Sequence, residues 1–304
     1  MPLEIIRSDI TKMYVDAIVN AANGMLRQGG GVCGAIFAAA GADRLQEECD
    51  RIGRCGVGEA VVTGGCNLPA KYIIHTVGPV WRGGGRGEEA LLRSCYIRSL
   101  ELAKERGLES VAFPLISSGI FGYPRDQAFS VAVSAIGSFV LENDMRVCLV
   151  IFGAESYRPN EALYRAVSAY LDDYDVRFRE PPAAAGAPAA DADERFAERL
   201  LRLAGEQNLS EPRVYRRANV DRRLFFRIRS DPNYCPGKNT ALAFAVALRL
   251  NSGQTADLLA CAGYALSPAG RFDRIVEYFI RQEKYNIFEI NETLFAFNEN
   301  LLGG

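Results

Sequence analysis

One low-complexity segment divides the chain into two parts of different character. Residues 180–193, EPPAAAGAPAADAD, contain only proline, alanine, glycine and acidic residues, which bury too little apolar surface to fold. Before this segment, short runs rich in valine and isoleucine alternate with helical patterns, and after it the strand pattern disappears. The sequence of 304 residues therefore predicts an N-terminal domain over residues 1–179, a linker over 180–193 and a smaller C-terminal domain over 194–304.

The N-terminal part is predicted to be an α/β domain. Short apolar runs typical of strands occur at six places: LEIIR, AIVNAAN, EAVVTGG, YIIHTVG, SVAFPLI and VCLVIFG. Helical patterns lie between them, of which one ends at Gly107 and another begins at Pro124 and continues to about Asn143. Alternating strands and helices predict a three-layer α/β/α arrangement.

The C-terminal part is predicted to be all-helical. Ser210, followed by Glu211 and Pro212, is typical of a helix start, because a hydroxyl caps the first turn and proline occupies a position that needs no amide partner. The predicted helices run over residues 194–207, 211–218, 221–230, 240–250, 255–262, 267–281 and 287–297.

Composition narrows the classes of function. The formal net charge of −2 gives no overall attraction to nucleic acid or to an anionic membrane, so such a partner would need a local patch. Eight cysteines without a C-x-x-C pair and a single histidine predict neither a metal site nor a disulfide framework, and we expect no cofactor. Free thiols, no evident leader and no long apolar run predict a soluble, cytoplasmic protein without a membrane partner.

Two glycine-rich loops follow predicted strands. The first is NAANGMLRQGGGV, in which Gly29, Gly30 and Gly31 precede a helix, and the second is LISSGIFGYP. Glycine leaves room for a ligand beside the backbone, and a helix start offers unpaired amides to an anion. Two such loops predict a ligand with two phosphates, although either loop alone would also fit a simple strand-to-helix turn. Neither matches the pattern of a P-loop NTPase or of a dinucleotide oxidoreductase.

The first 176 residues resemble a macrodomain of the MacroD-type ADP-ribosyl hydrolases. The motifs that carry the resemblance are SDIT, VDAIVNAAN, GGGV-x-GAI, NLPAKYIIHTVGPVW and ISSGIFGYP. The resemblance implies a mixed sheet between helices and a cleft for ADP-ribose across the strand ends.

The same resemblance implies roles for individual residues. Asp9 would accept the adenine amino group with Ile10 beside it, although Asp9 would also suit a cap for the next turn. Phe152 would stack on the adenine, unless it is an ordinary core residue. Asn23 would bind the distal ribose and orient the reacting centre. The diphosphate and the neighbouring ribose would contact Gly30, Gly31, Val32, Gly34, Ser117, Ser118, Gly119, Ile120 and Phe121.

Three further polar positions need an interpretation. Asn20 is predicted to hold the loop through side-chain to backbone bonds, and His75, within an apolar strand, is predicted to be a buried hydrogen-bonded imidazole. Cys33 stands where many hydrolytic members of the family carry an aspartate that positions the attacking water. A thiol at a helix start would serve as a base or nucleophile, and the alternative is a small filler against the phosphate loop.

An arginine-rich segment marks the C-terminal part. Residues 211–230 resemble a helix-turn-helix of the lambda-repressor-like class, and between Gln207 and Thr240 eight basic residues stand against three acidic ones. Arg222, Arg223 and Arg227 lie on the second helix, where a major-groove reader places its base contacts. Protein interaction or a solvated helix face is the alternative.

Three functions therefore remain open. The protein would bind ADP-ribose and hydrolyse ADP-ribosyl linkages of mono-ADP-ribosylated protein or nucleic acid, or deacetylate O-acetyl-ADP-ribose. Alternatively it would read ADP-ribose without turnover and pass that signal to DNA or to a protein partner. In the third case the helical domain would dominate and the macrodomain would sense a metabolite.

Overall fold

The computed structural model describes residues 1–153, 161–177, 194–232 and 234–303. The chain separates into two compact units, one of residues 3–158 and one of residues 1–2 with 159–304. The predicted linker at 180–193 lies outside the described residues, so the predicted boundary between the domains stays a prediction.

The first unit is built on a six-stranded mixed sheet. Its strands are β1 (Leu3–Arg7), β2 (Ala17–Ala21), β3 (Ala60–Gly64), β4 (Tyr72–Thr76), β5 (Ser110–Pro114) and β6 (Arg146–Ile151). Their order is β1-β6-β5-β2-β4-β3, with parallel pairing throughout except between β3 and β4. All six predicted strand runs form strands, and the predicted α/β class is confirmed.

Helices cover both faces of this sheet. They are α1 (Gly31–Ala40), α2 (Ala42–Ile52), α3 (Glu88–Glu105) and α4 (Arg125–Val140), with a short 3₁₀ turn at Ile10–Lys12. Ile18 and Ile73 share a buried cluster with α1 and α2. The next residues along these strands, Val19 and Ile74, are also fully buried and point to the opposite face, since successive strand side chains alternate. Both faces are therefore covered by protein, which makes this a layered α/β unit.

The carboxyl ends of five neighbouring strands meet at one edge of the sheet. Because β1, β6, β5, β2 and β4 are parallel in that order, the loops that leave them emerge side by side. The residues within three positions of these strand ends include Asp9, Phe152, Ser117, Asn23 and Gly78. Residues from distant parts of the sequence thus come together along this edge.

The second unit is all-helical, as predicted. It contains α5 (Glu161–Arg177), α6 (Phe196–Glu206), α7 (Glu211–Arg217), α8 (Arg222–Ser230), α9 (Lys238–Ala247), α10 (Ser252–Ala260), α11 (Arg271–Arg281) and α12 (Ile287–Ala296). Phe225 and Phe244 are fully buried and their ring centroids lie 6.0 Å apart. Helix α5 packs on α11 and α12 through Tyr170 against Tyr278 at 5.3 Å and Tyr164 stacked on Phe297 at 4.5 Å. In the described parts of the chain we find no helix with the length and apolar character that crossing a membrane requires.

Candidate ligand cavity and its surroundings

A cavity of about 250 Å³ opens between the two glycine-rich loops. One wall is the start of α1, and the other is the loop after β5. The lining residues are Ala21, Ala22, Asn23, Gly29, Gly30, Gly31, Val32, Cys33, Gly78, Leu115, Ile116, Ser117, Gly119, Ile120 and Phe121. The structure therefore brings most of the predicted diphosphate and ribose residues around one space.

The α1 wall presents a helix start without a side-chain cap. Gly30 is the N-cap residue and makes no side-chain hydrogen bond to the helix. Gly31 has a φ of +60°, in the left-handed region that glycine adopts without steric cost. The uncapped amides and the positive end of the helix dipole both favour an anion at this point.

The opposite wall holds a buried hydroxyl in a strained backbone. Ser117 has a φ of +64°, and a residue other than glycine adopts this conformation at a cost of about 1–2 kcal/mol. Its Oγ is buried and has no hydrogen-bond partner in the part of the chain that the structure describes. Buried polar groups are normally paired, so the unpaired hydroxyl of this cavity-lining residue is unusual.

Gly78 fixes the position of Ser117. A Cβ added to Gly78 would lie 2.1 Å from Ser117 Oγ and 2.7 Å from Ile116 Cγ2, so no side chain fits there. The sequence analysis did not identify Gly78 as a site residue, although it lies in the TVGP part of a quoted motif. Gly78 is needed because the loop after β5 packs directly against the residues that follow β4. This contact joins segments that are distant in sequence.

Gly34 and Ser118, both predicted to contact the ligand, instead contact residues of the two glycine-rich loops. A Cβ on Gly34 would lie 2.5 Å from the carbonyl oxygen of Gly29, so Gly34 allows α1 to approach the first loop closely. Ser118 Oγ donates to the carbonyl of Leu115 at 2.8 Å. Neither residue lines the cavity.

The side chains of the two asparagines have different partners. Asn23 Nδ2 donates to Arg27 O at 2.6 Å, and its Oδ1 accepts from the amides of Met25 and Arg27 at 3.2 and 3.1 Å. The side chain of Asn23 therefore holds the first loop. The prediction that Asn20 does so is wrong, because its Nδ2 bonds the side chains of Cys33 and His75 instead. Asn20 lies within β2 and Asn23 just beyond its end, and sequence does not show which side chain faces the loop.

A buried polar chain connects the cavity to the interior of the sheet. Asn20 Nδ2 lies 3.7 Å from Cys33 Sγ and 3.1 Å from His75 Nδ1, and His75 Nε2 lies 2.8 Å from Thr63 Oγ1. Asn20 and His75 are fully buried, which confirms the prediction of a buried, hydrogen-bonded histidine. Burial lowers the pKa of His75 to about 4, so the imidazole is neutral at pH 7.

Cys33 is bonded to uncharged groups. Besides Asn20, its Sγ approaches the carbonyl oxygen of Arg27 at 3.9 Å, and a thiol that faces a carbonyl acts as a donor. The residue is 5% exposed and lines the cavity. These contacts suit a small side chain that fills space between the loop and the strand.

Asp9 and Phe152 lie beside each other beyond the cavity lining. The strands that precede them pair in register, with Arg7 opposite Ile151. Asp9 caps the turn, since its Oδ1 accepts from Thr11 N at 3.0 Å and Thr11 Oγ1 at 2.7 Å. The hydroxyl of Thr11 lowers the pKa of Asp9. Phe152 is 73% exposed, so it is not a core residue, whereas Ile10 is buried.

Comparisons with known proteins identify the family of the first unit. The family model "Macro domain" matches residues 19–132. A Macro domain-containing protein of Methanosarcina mazei is 52% identical over 171 residues, which is 56% of this chain and 89% of that protein. The O-acetyl-ADP-ribose deacetylase of Escherichia fergusonii is 44% identical over 162 residues, which is 51% of this chain and 91% of that protein. A solved macrodomain of Oceanobacillus iheyensis with ADP is 41% identical, covering 56% of this chain and 92% of that one, with a TM-score of 0.49. The chain belongs to the macro domain family.

Proposed function

We propose that the first unit binds ADP-ribose along the edge of the sheet and hydrolyses ADP-ribosyl esters, with O-acetyl-ADP-ribose as the simplest substrate. The observation that carries this proposal is the unpaired Ser117 hydroxyl opposite the uncapped start of α1, with one cavity between them. Relatives named O-acetyl-ADP-ribose deacetylase that are 44% and 48% identical support the reaction.

The ligand would lie along the edge in the order of the strands. Adenine would stack on Phe152 with its amino group toward Asp9 Oδ2, because Oδ1 is engaged by Thr11. The diphosphate would bind between the amides of Gly31 and Val32 and the loop of Ser117, Gly119 and Ile120. The second ribose would then lie beside Asn23 and Phe121, both of which line the cavity.

The residues present supply binding and orientation more than acid–base chemistry. Hydrolysis adds the oxygen of water to the acetyl carbonyl carbon and breaks the bond from that carbon to the ribose oxygen. One water proton passes to the ribose oxygen, and acetic acid leaves and ionises. Since the partners of Cys33 are uncharged, we assign the positioning of this water to the diphosphate of the substrate. Asn23 keeps the first loop in the shape that this geometry needs.

A turnover assay with two alanine variants tests the proposed function. We expect the full chain to release acetate from O-acetyl-ADP-ribose, with kcat/KM about 100-fold lower in Asn23→Ala, because the displaced loop misplaces the reacting centre. Cys33 lines the same cavity, and we expect Cys33→Ala to keep kcat/KM within about threefold of the parent. No acetate release by the unaltered chain would refute the enzyme and leave only binding, and a loss of about 100-fold in Cys33→Ala would make the thiol catalytic.

We also propose that the helical unit binds nucleic acid through α7 and α8. The pair is joined by a tight turn in which Asn219 has a φ of +53°, and Asp221 caps α8 by accepting from Arg223 N at 2.7 Å. Arg222, Arg223 and Arg227 are exposed, with Arg222 over the ring of Phe226 at 5.3 Å.

Crowded positive charge supports this second proposal. Burial and the neighbouring Arg213 and Arg249 lower the pKa of Arg217, so these guanidinium groups repel one another and an anion beside them would be stabilised.

A DNA mobility-shift assay tests the second proposal. We expect the full chain to retard duplex DNA in a way that weakens with salt, and Arg222→Ala/Arg223→Ala to abolish the shift. Lys104→Ala/Arg106→Ala, which removes two exposed charges from the first unit, is expected to shift DNA like the parent. Equal shifts for both double variants would contradict the assignment to α8.

A further inference from the structure

The loop between β4 and α3, WRGGGRG at residues 81–87, has a fixed shape. The carboxylate of Glu88 accepts from the amides of Arg82 at 3.0 Å, Gly84 at 3.3 Å and Arg86 at 2.6 Å. Its own amide, together with those of Arg86, Arg82 and Gly84, lowers the pKa of Glu88, which keeps it ionised. Three backbone donors gathered on one buried carboxylate hold this loop in place before any partner arrives.

This loop, here called the arginine loop, adjoins the wall of the cavity. The amide of Trp81 donates to the carbonyl of Phe121 at 2.9 Å, and the ring of Trp81 lies 4.5 Å from that of Tyr123. Phe121 lines the cavity at the end where the second ribose would bind. Whatever is attached to that ribose would therefore leave the cavity close to the arginine loop.

The arginine loop offers two exposed cations. Arg82 and Arg86 are exposed, and among residues 1–153 neither has an ion-pair partner. The carboxylate of Glu88 is buried and bonded to backbone amides. Within residues 81–89, Glu89 is therefore the one exposed carboxylate. The glycines between the arginines carry no side chain that would keep a strand of phosphates away from the guanidinium groups.

We propose that the arginine loop binds the phosphate backbone of a single-stranded nucleic acid whose terminal phosphate carries the ADP-ribose. The proposal rests on the proposed function, since it concerns the carrier of the same substrate. Guanidinium groups match phosphate oxygens bidentately, and two of them within five residues suit the closely spaced charges of a nucleic-acid strand. A single modified carboxylate of a protein would leave one of the two arginines without a partner.

The test compares a substrate with a nucleic-acid carrier and one without. The full chain is assayed on a single-stranded oligonucleotide ADP-ribosylated at its terminal phosphate and on O-acetyl-ADP-ribose. On the oligonucleotide, the oxygen of water adds to the anomeric carbon of the second ribose, the bond from that carbon to the phosphate oxygen breaks, and one water proton passes to the leaving phosphate. In Arg82→Ala/Arg86→Ala we expect kcat/KM to fall about 10-fold on the oligonucleotide and to stay within about twofold on O-acetyl-ADP-ribose. On the oligonucleotide, the negative slope of log kcat/KM against log salt concentration should be less steep in this variant than in the parent by about 1.4, which corresponds to the loss of two phosphate contacts on a single strand.

A matched control removes the same charge elsewhere on the first unit. Lys104 and Arg106 are exposed at the far end of α3, and the 18 residues of this helix separate them from the arginine loop by about 27 Å. Lys104→Ala/Arg106→Ala is expected to process both substrates like the parent, which would assign any loss in the other variant to the loop and not to net charge.

The outcomes separate the two proposals. Normal turnover of O-acetyl-ADP-ribose would overturn the loop proposal alone if the unaltered chain does not process the oligonucleotide, or if the arginine loop variant processes it at an unchanged rate. An equal loss of rate on an ADP-ribosylated acidic peptide would overturn it in favour of a protein carrier. Failure of the unaltered chain on both substrates would instead refute the proposed function.

Discussion

Gly78→Ala is expected to weaken the binding of ADP-ribose about 100-fold, although Gly78 donates no side chain to any ligand. The added Cβ would lie 2.1 Å from Ser117 Oγ and 2.7 Å from Ile116 Cγ2, so the loop after β5 must move. A displacement of about 1 Å in a positioning element costs on the order of 100-fold in reaction rate, and we expect a loss of similar size in affinity because the diphosphate loses its contacts with this loop. The same overpacking should lower the free energy of unfolding by about 1–3 kcal/mol.

Calorimetry on folded protein separates these two effects. The variant is first shown to be folded by circular dichroism at the temperature of the titration, and ADP-ribose is then titrated into it. Gly85→Ala is the matched control, because a Cβ at that glycine meets nothing within 4 Å, and we expect it to bind like the parent. A folded Gly78→Ala protein with an affinity within threefold of the parent would contradict the assignment of the Ser117 loop to the diphosphate.

Acidification is expected to destabilise the first unit through its single histidine. Because burial lowers the pKa of His75 to about 4, the unfolded chain binds a proton at pH values where the folded chain does not. The contribution of neutral His75 is therefore complete above its ordinary pKa of about 6.5, falls as the pH drops, and is lost near pH 4. The difference corresponds to about 3 kcal/mol.

Urea denaturation at a series of pH values between 7 and 4 measures this contribution. His75 is the one histidine of the 304-residue chain, so no other imidazole titrates in this range. His75→Gln should have a lower free energy of unfolding at pH 7, because Asn20 and Thr63 lose a partner. Between pH 6.5 and 4.5 its stability should change much less than that of the parent. Parallel curves for the two proteins would show that His75 does not carry the pH dependence.

The sequence predicted the elements well because their local signals are strong. All six strand runs are rich in valine and isoleucine, and the strands form where those runs occur. In the second unit the predicted helices at 211–218 and 221–230 correspond to α7 (Glu211–Arg217) and α8 (Arg222–Ser230). Pro212 in the first turn of α7 and the Asp221 cap of α8 mark these starts. The prediction that the Ser210 hydroxyl caps α7 is wrong, because its side chain makes no capping hydrogen bond to that helix.

The site was predicted less completely because its contacts depend on packing between distant segments. Asp9 and Phe152 become neighbours only through the pairing of β1 with β6, which the motifs implied through resemblance alone. The close approach of Gly78 to Ser117 and the bond from Asn20 to His75 have no local signature. The loop is held by Asn23 and not by Asn20, which shows the same limit, since sequence does not give the direction in which either amide points.

The most direct test of the central claim is a crystal structure of the full chain with ADP-ribose. We expect the diphosphate between the amides of Gly31 and Val32 on one side and the Ser117 loop on the other. The adenine should lie against Phe152. ADP-ribose bound elsewhere, or this cavity still without nucleotide at saturating ADP-ribose, would contradict it.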